Sequence, residues 1–142
     1  MPDPVALLHV PALSDVAEYA YAYAYAATVE PPARLVFTAG ACPLDDEGRA
    51  VAPGDHAAQA RQVLANLETA LGAAGARLTD VVKTTTVYVA SSRQADLVTV
   101  WEVVRDYFGE HNPPTTLLGV AVLGYSAQLI EVEAGAAVPT VA

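Results

Sequence analysis

Apolar residues recur along this chain at two periods, and the switches between them mark out its elements. Between residues 19 and 26 tyrosine and alanine alternate strictly, which predicts a strand with Tyr19, Tyr21, Tyr23 and Tyr25 on one face and alanines on the other. Turn chemistry in Glu30-Pro-Pro-Ala-Arg34 precedes a second apolar run over 35–39, closed by Gly40. From Asp55, a candidate N-cap, the period changes: Ala60, Val63, Leu64, Leu67, Leu71 and Ala74 keep the three-four spacing of a helix with one buried face, and Gly72 and Gly75 mark its end. Residues 80–89 form a β-branched run suited to a central strand. A second helix is expected over 94–108, with Leu97, Val100, Trp101, Val104 and Phe108 on one stripe. Two further strands, over 116–123 and 127–136, are expected to form a tight hairpin through Gly124-Tyr-Ser126. Residues 1–17 lack a clear period and read as an N-terminal arm or short strand. The pattern predicts one α+β domain over 1–142, a mixed sheet with two helices on one face.

Composition narrows what such a domain does. The chain has 142 residues, enough for one domain with a real core, and is 54% hydrophobic but only 16% charged, so part of its apolar surface is expected to meet another subunit. Net charge is −9, and the seven basic residues stand singly, which argues against nucleic-acid binding, where clustered Lys and Arg neutralise phosphate. One cysteine and three scattered histidines exclude an internal disulfide and give no metal-site spacing. No apolar run reaches membrane-span length, and Met-Pro-Asp-Pro lacks the basic region of a signal peptide; a cytoplasmic protein without membrane contact is expected.

Candidate chemistry gathers around 108–120 and 129–134. Pro113-Pro114 cannot continue the second helix and fixes the backbone that follows, presenting Thr115 and Thr116 at a strand start. In the last strand Glu131 and Glu133, two apart, share one face, with Ile130, Val132 and Ala134 on the other. Most of the tyrosine face reads as packing, with Tyr25 held back as a pocket residue. Cys42 follows a strand end where a reactive thiol could sit, although no basic residue close in sequence lowers its pKa and an inert side chain fits as well. Lys83 reads as structural or solvent-facing, and Trp101 as core.

Several segments in this order resemble the RidA (YjgF-type) family of reactive-intermediate deaminases: Leu35-Val-Phe-Thr-Ala-Gly-Ala-Cys-Pro-Leu44, Gln59-Ala-Arg-Gln-Val-Leu-Ala-Asn-Leu67, Ala74-Gly-Ala, Asp80-Val-Val-Lys-Thr-Thr, Tyr107-Phe-Gly-Glu-His and Ile130-Glu-Val-Glu-Ala134. The resemblance spans about residues 20–138. It implies a chorismate-mutase-like α+β fold, a homotrimer whose sheets form a central barrel, and small-molecule pockets between subunits. It also implies cofactor-independent hydrolysis of enamines or imines, such as 2-aminoacrylate, to a keto acid and ammonia.

By the same resemblance Glu131 is the residue that positions water or transfers a proton, Tyr25 the pocket tyrosine, and the backbone of Gly40 and of the strand after Thr115 completes the site. Cys42 and Tyr88 are secondary candidates. The family's pocket arginine follows a Pro-Ala pair and grips a substrate carboxylate with both nitrogens. Here the place reads Pro113-Pro114-Thr115-Thr116, and Thr115 stands where the arginine would be. A neutral hydroxyl cannot supply that charge-assisted pair, worth about 1.5 to 3 kcal/mol, so affinity for a small imino acid is expected to fall tenfold or more. Trp101 stands where a pocket asparagine is common, which implies a more apolar wall. Two readings follow. One is a hydrolase or tautomerase for a larger, more apolar imine or enamine; the other is a non-catalytic trimer that binds a metabolite or docks a partner.

Overall fold

In this computed structural model the described residues are 2–13 and 23–140, without the side chains of 84–86. The first long helix, α1 (His56–Ala73), starts where the Asp55 carboxylate accepts from the backbone N–H of Ala58 at 2.9 Å and so satisfies one of the orphan donors of the first turn. It stops at Ala74 and Gly75, and Gly75 takes the positive φ (80°) that ends helices cheaply in glycine. Helix α2 (Gln94–Phe108) ends in the same way at Gly109, φ 64°.

Both helices cover one face of a four-stranded mixed sheet made of β3 (Ala33–Phe37), β4 (Val81–Ala90), β5 (Thr115–Val120) and β6 (Ile130–Pro139), in the order β3-β6-β4-β5. Strand β6 is antiparallel to both its neighbours, and β5 runs parallel to β4. Period-two alternation decides what lies on each face. Val87 and Val89 of β4 and Ile130, Val132, Ala134 and Ala136 of β6 join Val63, Leu64, Leu67 and Leu71 of α1 and Val100, Trp101 and Val104 of α2 in the core. Burying one such Leu or Val stabilises the fold by about 1.5 to 3 kcal/mol. The alternate residues, among them Tyr88, Glu131 and Glu133, therefore lie on the helix-free face.

Two expectations need correction. The last two strands do not form a hairpin: β4 lies between β5 and β6, and the link 121–129 crosses the end of β4. β5 ends and β6 begins at the same end of β4, Val120 beside Ala90 and Ile130 beside Val89, but on opposite sides of it, so Gly124-Tyr125-Ser126 belongs to a loop that crosses over β4 rather than to a tight turn. The strand of alternating tyrosines is the other case. Residues 19–22 lie outside the described ones, and β2 (Ala26–Val29) begins only after Tyr23 and Tyr25. Tyr23 instead turns its ring edge-on to Trp101, 6.0 Å between centroids, and meets Tyr25 in the same manner. Strand β2 pairs with β1 (Val5–Leu8), inside the segment read as an arm, as a separate two-stranded sheet.

Candidate functional site

The carboxylate of Glu131 is the centre of the most organised polar cluster on the helix-free side. Beyond Phe37 the chain stays beside β6, where Ala41 bridges Val132, and this brings Gly40 under the Glu131 side chain. A Cβ on Gly40 would lie 2.6 Å from Glu131 Cδ and 2.7 Å from its Oε2, so only glycine lets the carboxylate rest there. Cys42 Sγ donates to Glu131 Oε1 at 3.2 Å, and Gln128 Nε2 donates to the same oxygen at 3.3 Å. Burial first, then the hydrogen bond to Glu131 and its negative charge, push the Cys42 thiol up to about 11, so it remains a protonated donor at neutral pH.

The supports of this cluster reach back into α1. Asn66 Nδ2 donates to the carbonyls of Cys42 and Leu44 at 2.8 and 3.0 Å, which holds the loop carrying the thiol. Gln59, fully buried, donates to the carbonyls of Val51 and Ala127 and accepts from the N–H of Leu129, fixing the approach to β6. Gln128 uses its own Oε1 to accept from the N–H of Tyr125 at 3.0 Å. Beside the cluster opens a cavity of about 630 Å³, bounded by Gly40, Cys42, Asp45, Gln62, Asn66 and Tyr125. That volume lies within the range of small-molecule sites.

The other candidates distribute over both faces of the sheet. Tyr88 shares the open face with Glu131, its register partner on β6, and its hydroxyl donates to Glu133 Oε1 at 3.2 Å. Thr116 shares that face too, since its neighbour Leu117 packs on the core, and Lys83 Nζ donates to Thr116 Oγ1 at 3.4 Å. Lys83 therefore stands beside the threonine pair, although its sequence surroundings gave no sign of a functional place. Thr115 has the opposite parity. Its hydroxyl donates to the Pro113 carbonyl at 3.0 Å, and it lines a narrow cleft with Trp101, Val104 and Phe108 on the helix side. Trp101 is core, 5% exposed, and its Nε1 has no hydrogen-bond partner among the described residues. Tyr25 is half-buried, and its N–H donates to the Leu8 carbonyl.

Within one chain, then, Gly40, Cys42 and Glu131 come together, while Thr115 and Trp101 lie across the sheet. Gln128 and Gln59 went unremarked in the sequence. Gln59 had a detectable signal, a polar residue on the helix face that carries Ala60 and Val63; Gln128 had none. No group of three or more His, Cys, Asp or Glu able to hold a metal exists among the described residues, and none of their helices is long and apolar enough to cross a membrane.

Similarity to known proteins agrees with this architecture. The sequence profile of the family described as Endoribonuclease L-PSP matches residues 16–138. A RutC family protein of Pyrococcus horikoshii is 39% identical over 100 residues, 70% of this chain and 76% of that protein. The 2-iminobutanoate/2-iminopropanoate deaminase of Salmonella typhimurium is 40% identical over 103 residues, 70% of this chain and 77% of the enzyme. Among solved structures, a Rid family protein from Yersinia pestis superposes with a TM-score of 0.81 at 27% identity, covering 94% of this chain and 98% of its own. A profile match over most of the chain, together with relatives near 40% identity, shows that this chain belongs to the endoribonuclease L-PSP family, the YjgF/Rid group to which the imine deaminases also belong.

Proposed function

We propose that this chain is a cofactor-independent hydrolase of small-molecule imines and enamines, cytoplasmic, and active as a homotrimer with its pockets between subunits. The observation that carries the reading is Glu131, a half-buried carboxylate with one oxygen held by two donors and the other taking none among the described residues, beside a cavity of about 630 Å³. Such a group suits proton transfer. Water adds to the imine carbon, its proton passes to Glu131, and the C=N electron pair moves to nitrogen. Glu131 returns that proton to nitrogen to give the carbinolamine, then takes the carbinolamine hydroxyl proton and passes it to nitrogen as the carbonyl forms and the C–N bond breaks, so that ammonia leaves. Imine and water thus give ketone and ammonia, with no redox change.

Neutral threonines at 115 and 116 favour a substrate larger and less dependent on a carboxylate than 2-iminopropanoate. Trimer formation is supported by the exposed apolar side chains of the helix-free face, Leu35, Phe37 and Leu118. The threonines equally favour a second reading, a trimer that binds a metabolite or docks a partner without turnover.

The test uses imino acids generated in situ by an amino-acid oxidase from alanine and from phenylalanine, with catalase present and keto-acid formation followed. Acceleration in proportion to protein, larger for the phenylalanine product and abolished in Glu131→Gln, is the expected result. No acceleration of either imine by the native protein would leave the binding reading. A gain on the alanine product in Thr115→Arg would identify the missing charge as the cause.

A further inference from the structure

The two oxygens of Glu131 live in different surroundings. Oε1 accepts from Cys42 Sγ at 3.2 Å and from Gln128 Nε2 at 3.3 Å; Oε2 receives no hydrogen bond from the described residues and lies 2.7 Å from where a Gly40 Cβ would be. Both donors are themselves held. Gln128 is 4% exposed, its Nε2 also donates to the Ile130 carbonyl at 3.0 Å, and its Oε1 is occupied by the Tyr125 N–H. The Cys42 backbone is tied to α1 through Asn66, and its Sγ has the Gly40 carbonyl as a second acceptor at 3.5 Å. A carboxylate with no fixed oxygen exchanges its two atoms by rotation about its last bond; one gripped at Oε1 from two directions does not.

We propose that Cys42 and Gln128 are positioning residues that lock Oε1 of Glu131, so that Oε2, over Gly40, is the single oxygen that exchanges a proton with water and the imine nitrogen. This rests on the hydrolase reading of the same site. The thiol is suited to the task because burial and the adjacent carboxylate keep it protonated, and a thiolate would repel Glu131.

The test has two readouts on the full-length protein. The first is steady-state turnover of the phenylalanine-derived imine by Cys42→Ala, Cys42→Ser and Gln128→Met. Loss of one hydrogen bond to a charged group predicts kcat about tenfold lower in Cys42→Ala and Gln128→Met. KM should stay within about twofold, and Cys42→Ser should recover most of kcat, because a hydroxyl restores the donor. The second readout needs no substrate. Iodoacetamide alkylation of Cys42, the chain's single cysteine, is followed against pH in the native protein and in Glu131→Gln, and its midpoint, about 11 in the native protein, should fall in the variant. Unchanged kcat in both Cys42→Ala and Gln128→Met overturns the inference, as does a midpoint that Glu131→Gln leaves in place. A native protein that turns over no imine defeats the hydrolase reading instead, a result visible before any variant is made.

Discussion

At Gly40 a side chain of one carbon would enter the space that the Glu131 carboxylate occupies, 2.6 Å from Cδ. The obstructed group is the end of a side chain, which can swing aside only by giving up the Cys42 and Gln128 hydrogen bonds to its Oε1. Gly40→Ala should therefore cost about 1 to 3 kcal/mol of stability while removing most turnover. Urea unfolding and kcat measured on the same preparation separate the two effects; a parallel loss of both would show that Gly40 serves the backbone instead. Cys42 gives a pH prediction whose sign follows from the raised thiol value. The folded state holds this proton more tightly than the unfolded chain, so the contribution to stability is complete below the ordinary value of 9.0 and is lost as pH rises toward about 11. Between about pH 8 and pH 10.5 the native protein should lose more of its urea midpoint than Cys42→Ala does. Tyr107, pushed up to about 12 by burial and by its bond to Glu68, titrates in both proteins and cancels in the comparison.

Among the elements, α1 does more than cover the sheet. Gln59 supplies three hydrogen bonds to two loops, donating to the carbonyls of Val51 and Ala127 and accepting from the N–H of Leu129. Gln59→Leu keeps the volume but removes these bonds from groups that are partly exposed and can turn to water, so the loss should be about 1 to 3 kcal/mol in all, readable in chemical denaturation. Both helices were legible in the sequence because their signals are local: Asp55 caps α1, Gly75 and Gly109 end the two helices, and the apolar stripes repeat every three to four residues. Sheet order was not, because Gly124-Tyr125-Ser126 has the composition of a hairpin whether or not its flanking strands pair. Which strands pair depends on long-range burial that no local pattern encodes. The same holds for the site. Glu131 could be read from the alternation in β6, whereas its contacts to Cys42 and Gln128 depend on how far the loop after Gly40 is drawn toward α1 by Asn66.

For the whole molecule, the asymmetry of the sheet matters most. One face is sealed by two helices, and the other shows Leu35 at 54% and Phe37 at 80% exposure. Phe37→Glu adds a charge to that face without touching the core. On the proposed trimer, light scattering should show a native mass near three chains and a lower mass for Phe37→Glu, with turnover falling alongside; a mass that the substitution leaves unchanged would remove Phe37 from any interface. The sheet order also constrains how the chain is made. Strand β6, antiparallel to β3 and β4 and wedged between them, is synthesised after both. Until it leaves the ribosome, β3 and β4 each present a row of unpaired amides and carbonyls, and the two helices have only half a surface to pack on. The core and the Glu131 cluster must therefore form together in one late step. A chain stalled before residue 130 would be a ready client for chaperones and a poor starting point for a stable fragment.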